Sequence, residues 1–377
     1  MNQILLIAFG EELEKAWNLI NKKDSHIKHI VSLPTGDLDN IVARNNIRCP
    51  VSSFETLPEI VSKEYYDYFI VSDIAKTSGK KGRIVEELER LGCQSDAIID
   101  LSDVYTIESF PLYNILKHHE QHPDEYSFFI TGVSHAYAGT DITSYAKPGL
   151  NLAHTSQDLF LDYELAKLVM KSMRGKKAVI GVSPFSLHYD LSKSVNRHRM
   201  LMYYPIIHKL HNYHIGSDKL HELLSKEYFE LFSSTDGNQL TFPQRLGCNS
   251  LNKNLTVDDF IEMRKELAFW DNKNYYETSK ENINILEAYI EDCLRFDITP
   301  ILTIYPVSEW YNKYFSAVKF DELRTKLHEL AQNYQISLYD FSSDERFNMS
   351  DFFDAEHLNV QGAKKISSIL SSILFIP

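Results

Sequence analysis

The strongest constraint on this chain is a rhythm of short apolar runs, each followed by a segment with helical spacing. Residues 3–9 form the first run. Residues 11–22 follow as a helix with Leu13, Trp17 and Ile20 on one side, and His26–Leu33 returns to an extended apolar run. A second cycle predicts a helix at Phe54–Val61, a strand at Tyr68–Val71, a helix at Lys81–Leu91 and a strand at Ala97–Leu101. Strands separated by helical crossovers pair in parallel, because a tight hairpin joins only antiparallel neighbours. Residues 1–105 are therefore expected to form a small Rossmann-like α/β domain.

The rhythm pauses at 106–125, where Pro111, Pro123 and the histidines His118, His119 and His122 mark a linker with a connecting helix. It resumes with a strand at Tyr126–Thr131, a helix at Asp158–Met173 and a strand at Lys177–Val182. A polar, aromatic-rich stretch at 188–278 breaks the pattern and is expected to be a helical insertion. Thr256–Asp259 supplies a capping box for a helix running through Trp270. Beyond it come a helix at Ile283–Phe296, a strand at Ile301–Ile304, a helix at Phe320–Tyr334, a strand at Ile336–Tyr339 and a last helix from Val360. Residues 126–377 thus read as a second α/β domain, a parallel sheet between helices.

Composition narrows the partners. The 377 residues carry 39 Lys plus Arg against 52 Asp plus Glu, a formal net charge of −13, which argues against broad nucleic-acid binding and against a polybasic membrane surface. The apolar run at the amino terminus meets Glu11 and Glu12 too soon for a signal peptide or membrane anchor, so a cytoplasmic protein with no integral membrane segment is expected. Cys49, Cys93, Cys248 and Cys293 are too scattered for a metal knuckle or a disulfide framework and read as free thiols. The first strand–helix loop, Ala-Phe-Gly-Glu-Glu, has one glycine and two carboxylates where a dinucleotide fingerprint needs several glycines, so no nucleotide cofactor is expected. His118, His119 and His122 lack the spacing of a zinc helix and read as a solvated patch.

The chemistry-bearing residues fall in two places. Gly132-Val-Ser134-His135 follows the strand Tyr126–Thr131, which puts the Ser134 hydroxyl at the carboxyl end of a parallel strand, where open α/β sheets gather ligands. Asp354-Ala-Glu-His357-Leu-Asn359 precedes the last helix, with Asn359 suited to cap it. Three positions apart, Asp354 and His357 can meet within one turn. A serine hydroxyl is a poor nucleophile at neutral pH. An imidazole can take its proton through Nε2 while a carboxylate holds the tautomer through Nδ1. The competing role for the pair is to cap and fill the turn.

Gly132-Val-Ser134, Gly149-Leu-Asn151 and Asp354-x-x-His357-Leu-Asn359 together resemble the conserved blocks of the SGNH (GDSL-like) hydrolase superfamily. Within that superfamily the blocks most resemble those of cell-envelope polysaccharide O-acyltransferases and teichoic-acid D-alanylation proteins, where Gly-x-Ser stands for Gly-Asp-Ser. The resemblance covers about residues 126–377. It implies a three-layer, flavodoxin-like α/β fold, a nucleophile at Ser134 and a triad completed by Asp354 and His357, with no metal or other cofactor. It also implies an oxyanion hole from the Ser134 and Gly149 amides plus a third-block asparagine. The third block departs from the pattern: Val179-Ile-Gly-Val-Ser-Pro184 offers Ser183 instead, with Asn151 as the competing donor. The implied activity is ester hydrolysis or O-acyl transfer between an acyl donor and a sugar or water. Lacking a membrane segment, the chain departs from the membrane-linked relatives, which favours a small acylated sugar over a finished wall polymer. A binding or assembly protein that keeps the fold without turnover is the alternative.

Further candidates line up around these blocks. His135, Tyr137 and Asp141 follow the serine, and His154 and Gln157 flank the next helix. Arg197, His198 and Arg199 offer an anion site or a solvated face, and Trp310 and Tyr311 a sugar- or acyl-binding wall or ordinary packing.

Overall fold

The structure is a computed structural model that describes residues 1–9, 11–32, 38–72, 83–101, 112–194, 196–213, 217–231, 265 and 276–375. The chain divides into two compact units, Met1–Tyr113 with Ser192–Thr235, and Asn114–Leu191 with Asp236–Pro377.

The first unit holds strands β1 (Asn2–Ala8), β2 (Ser25–Ser32), β3 (Val51–Ser53), β4 (Tyr68–Ser72) and β5 (Ile98–Asp100) in one all-parallel sheet of order β3-β2-β1-β4-β5. Its central strand is buried along Ile4–Ala8, as expected of a strand covered on both faces by crossover helices. Helices Glu11–Leu19, Leu38–Arg44, Leu57–Lys63 and Arg83–Arg90 supply those crossovers. The three-residue edge strand β3 is absent from the expected elements; Val51-Ser-Ser53 is too short and polar to announce itself by periodicity.

The segment beginning at Ser192 groups with this first unit rather than with the second, where the sequence pattern puts it as an insertion. The reason is backbone pairing. Ile20 bridges Leu224 antiparallel, Asn21 N–H donates to the Leu223 carbonyl at 2.8 Å, and Ser225 N–H donates to the Leu19 carbonyl at 2.7 Å. The helix expected at 256–270 lies outside the described residues apart from position 265.

The second unit is built on β6 (Phe128–Gly132), β7 (Gly149–Asn151), β8 (Lys177–Val182), β9 (Thr299–Ile304) and β10 (Ser337–Asp340), again all parallel, in the order β10-β9-β8-β6-β7. Counted from its own first strand this is the 2-1-3-4-5 order of flavodoxin-like sheets, whose switch point lies between the carboxyl ends of the first and third strands. Here those are β6 and β8.

Helices cover both faces of this sheet. On one, helix Val360–Phe375 buries Ile366, Leu370 and Leu374 in a cluster with Phe128, Ile130 and, from the short helix Ser134–Gly139, Ala136 and Tyr137. On the other, Tyr289 of helix Tyr276–Arg295 reaches Thr131 at 3.0 Å between hydroxyls and stacks on Tyr163 of helix Leu159–Met170. Each fully buried leucine or isoleucine in such a layer contributes about 1.5–3 kcal/mol. The linker region contributes helix Leu112–Gln121, and its histidines are tied locally: His118 to the Tyr126 hydroxyl at 2.6 Å, His119 to Ser172 at 2.9 Å and His122 to Glu125 at 3.4 Å. Cys49, Cys93 and Cys293 are free thiols. No described helix is long and apolar enough to cross a membrane.

Candidate functional site

The site grows from the end of β6. Gly132 has a φ of 142°, and a Cβ there would lie 2.7 Å from both the Ala136 Cβ and the Gly181 carbonyl oxygen. Only glycine serves at this point. Its register partner on β8 is Gly181, so two side-chain-free residues let helix Ser134–Gly139 settle directly onto the switch point. Ser134 opens that helix, and its N–H, in the first turn, has no acceptor within the helix.

The other half of the site is a tight turn before the last helix. Phe352 and Leu358 form an antiparallel bridge, and Phe353 N–H donates to the His357 carbonyl at 2.8 Å. Asn359 caps helix Val360–Phe375, its Oδ1 accepting from Gln361 N–H at 2.8 Å and Gly362 N–H at 3.0 Å. Its Nδ2 donates back to the Ser350 and Phe352 carbonyls. Within the turn, Asp354 Oδ1 accepts from the Glu356 and His357 amides at 2.8 and 2.7 Å. The turn is also tied to the start of helix Glu309–Tyr314 beyond β9, since its N-cap residue Ser308 donates its N–H to the Ala355 carbonyl at 3.1 Å.

These two halves meet. His357 Nε2 lies 2.9 Å from Ser134 Oγ, and His357 Nδ1 lies 2.8 Å from Asp354 Oδ2 and 3.0 Å from Oδ1. Burial pushes the Asp354 carboxyl up, but the neighbouring imidazole and the two amide donors outweigh it and hold the group below its usual range. The carboxylate is thus ionised at neutral pH and accepts the Nδ1 proton, leaving Nε2 free to accept from the serine hydroxyl.

No protein-family model matches this sequence, and a search of curated proteins finds no match. The chemistry of the site is therefore read from its geometry.

The remaining candidates separate into those near this centre and those away from it. Gly149 is away from it. It pairs with Phe128 at the amino end of β6, about 13 Å along the strand from Gly132 at the usual rise per residue, so its amide cannot serve as an oxyanion donor for Ser134. It is glycine for a packing reason: a Cβ there would lie 2.2 Å from the Phe128 ring.

The segment after β7 does reach the switch point, with His154 N–H donating to the Gly132 carbonyl at 3.1 Å. Asn151, at the carboxyl end of β7, accepts from Ala153 N–H through Oδ1, while its buried Nδ2 has no hydrogen-bond partner. Ser183 follows β8, and its hydroxyl is taken by His135 Nδ1 at 2.5 Å. A clasp holds the stretch beyond it: Asn282 Nδ2 donates to the carbonyls of Ser186, Leu187 and Tyr189 at 2.9–3.1 Å.

Asp141 caps the turn 142–144 by accepting from Thr143 and Ser144, and Gln157 donates to the Leu152 carbonyl and to Asp162, so both are structural. Tyr137 packs its ring 5.4 Å from that of His154. Arg197 pairs with Glu89 at 2.7 Å within the first unit, and His198 lies 3.9 Å from Asp100 there; Arg199 belongs to the same short helical turn. Tyr311 is buried edge-on to His135 at 5.9 Å, while Trp310 stacks on Tyr314 with Lys313 over both rings.

Glu356 is absent from the sequence-based candidates. Its Oε2 lies 3.7 Å from His135 Nε2, and the only signal for it was a second carboxylate directly before His357.

Proposed function

We propose that this chain is a serine-dependent ester hydrolase or O-acyltransferase that acts on an acylated sugar or related small molecule through an acyl-enzyme. The observation that carries the reading is the continuous hydrogen-bonded path from Ser134 Oγ through His357 to Asp354, with both contacts at 2.8–2.9 Å.

In this reading His357 Nε2 takes the hydroxyl proton as Ser134 Oγ attacks the acyl carbon, and Asp354 stabilises the imidazolium formed. The carbonyl π electrons move to oxygen. The Ser134 amide and the unpaired Nδ2 of Asn151 are the candidate donors to the resulting oxyanion. Collapse expels the alcohol, which leaves with the proton from His357, and Ser134 carries the acyl group. Water or a sugar hydroxyl then attacks the acyl-enzyme with His357 as base, so hydrolysis and transfer share one path. Loss of the Gly149 donor moves the weight of oxyanion binding onto Asn151, and Asn151→Ala is expected to lower turnover by about 10²–10³-fold with little change in KM.

The test is a fluorophosphonate probe and short p-nitrophenyl esters applied to wild type and Ser134→Ala. Labelling at Ser134 with ester turnover supports the reading. A folded wild-type protein that shows neither overturns it and leaves a binding or assembly role. Mass spectrometry of products with sugar acceptors present separates transfer from hydrolysis.

A further inference from the structure

Beside the Ser134–His357 contact lies a group of side chains for which acyl transfer has no use. His135 is 3% exposed, and its Nδ1 is fixed on Ser183 Oγ at 2.5 Å. Its Nε2 has no hydrogen-bond partner and faces Glu356 Oε2 at 3.7 Å, beyond hydrogen-bond reach. One nitrogen or carboxylate oxygen from each of His135, Glu356 and His357 falls in a cluster whose members all lie within 4.8 Å of one another.

Ser183 Oγ can accept a proton from His135 Nδ1, and in that tautomer Nε2 turns its lone pair toward the Glu356 carboxylate. Two lone-pair-bearing atoms then face each other in a buried place with no proton between them. A cation relieves that opposition. The arrangement also has outer support of the kind ligating histidines use, because the Ser183 hydroxyl on Nδ1 holds the orientation of the ring.

We infer that His135, Glu356 and His357 form a binding site for a divalent cation of the zinc class. Two imidazoles and one carboxylate make a ligand set that zinc accepts, with a further position left for water. Tetrahedral ligands about 2.0–2.1 Å from the ion stand about 3.3–3.5 Å apart, so the His135–Glu356 separation of 3.7 Å needs to close by only a few tenths. Both nitrogens of His357 are already engaged, Nδ1 by Asp354 and Nε2 by Ser134. A cation held by His357 therefore replaces one of those hydrogen bonds, and the site works as an off-switch for any chemistry that uses this imidazole.

The test is titration of the full chain with Co²⁺, followed by visible absorption and calorimetry, with Zn²⁺ as competitor. The expected result is a tetrahedral cobalt spectrum with a single-site isotherm, displaced by Zn²⁺. Affinity should fall by about tenfold or more in His135→Gln and Glu356→Gln. Ser134→Ala keeps the spectrum, and so do His118→Gln and His122→Gln, which control for histidines elsewhere. If His135→Gln fails to fold, Glu356→Gln carries the test from a partly exposed turn. A wild-type chain that binds no Co²⁺ at millimolar concentration, or a spectrum unchanged in Glu356→Gln, overturns the site and leaves an ordinary imidazole–carboxylate contact. Neither readout uses ester turnover, so this inference and the proposed activity fail separately.

Discussion

The two units are built on parallel sheets of equal strand number, yet they treat the end of their first strand differently. In the second unit that strand closes on Gly132, opposite Gly181, and the chain turns at once into the helix begun by the half-buried Ser134. In the first unit the same place is filled by Ala8 and Phe9, both buried, with the Phe9 ring edge-on to Phe54 at 5.9 Å. An aromatic ring there completes a core. A pair of glycines there brings a helix terminus and a polar side chain onto the sheet. A shared α/β architecture thus supplies the same position twice, and the residues at the strand ends decide which side chains stand there.

The sharpest way to break this contrast is at the second unit's own polar chain. Asp354→Asn keeps the turn's shape but offers Nδ1 of His357 a mixed donor and acceptor, and ester turnover is expected to fall on the order of 10⁴-fold, read from kcat at saturating substrate. The pH profile sharpens the assignment. Because Asp354 is held below the ordinary carboxylate range, it stays ionised while the imidazole titrates, so wild-type turnover should decline on the acidic side of neutrality through His357 alone. The stability that ionised Asp354 contributes is present above the ordinary carboxylate pKa. It is lost only as pH drops through the lowered folded value. A rate that stays flat through the acidic limb while still requiring Ser134 would remove His357 from its role.

The glycine pair predicts the next largest effect. A Cβ at position 181 would lie 2.7 Å from the Ala136 Cβ and 2.9 Å from the Thr131 carbonyl oxygen. Gly181→Ala is therefore expected to cost about 1–3 kcal/mol in urea unfolding and to depress turnover by lifting the helix that carries Ser134. Unchanged turnover at reduced stability would mean that the helix position is not what the glycines secure.

Behind the sheet, Asp162 is almost wholly buried, and burial raises its pKa well above the usual range despite the hydrogen bond from Gln157. A raised folded pKa means that the folded protein holds a proton the unfolded chain has released, so stability should decline as pH climbs from the ordinary carboxylate pKa toward the folded value. Asp162→Asn keeps an acceptor for Gln157 and should flatten that decline in denaturation midpoints measured across the range. The smallest effect belongs to the first unit. Ser72, at the end of β4, is fully buried with its hydroxyl unpartnered, so Ser72→Ala is expected to be neutral or stabilising by up to about 1 kcal/mol and to leave ester turnover unchanged.

How far the sequence foretold this molecule depends on the range of the interaction involved. Strands announced by apolar runs, such as Ile4–Ala8 and Lys177–Val182, and the helix capped by Asn359, follow from local pattern and chemistry. The approach of Asp354 to His357 was legible for the same reason, since three residues of spacing and a turn suffice. Gly149 was misread because a motif carries no register. Only the pairing of Gly149 with Phe128, rather than with a residue near Ser134, reveals which end of the sheet it occupies. The return of 192–235 to the first unit was invisible for a related reason. It depends on amide-to-carbonyl bonds between Leu19–Asn21 and Leu223–Ser225, and main-chain groups leave no mark in side-chain composition. Glu356 escaped notice because its partner is 221 positions earlier in the sequence, on an element whose placement the pattern did not specify.

Asp354 and His357 share one turn, whereas Ser134 comes from 223 positions away. The acid and the imidazole therefore travel as a single rigid piece, and any jolt to the surrounding layers leaves their mutual bond intact. What gives way first is the gap to the alcohol. Damage spread across this unit would appear as a slackening of that one joint, long before the pair itself came apart.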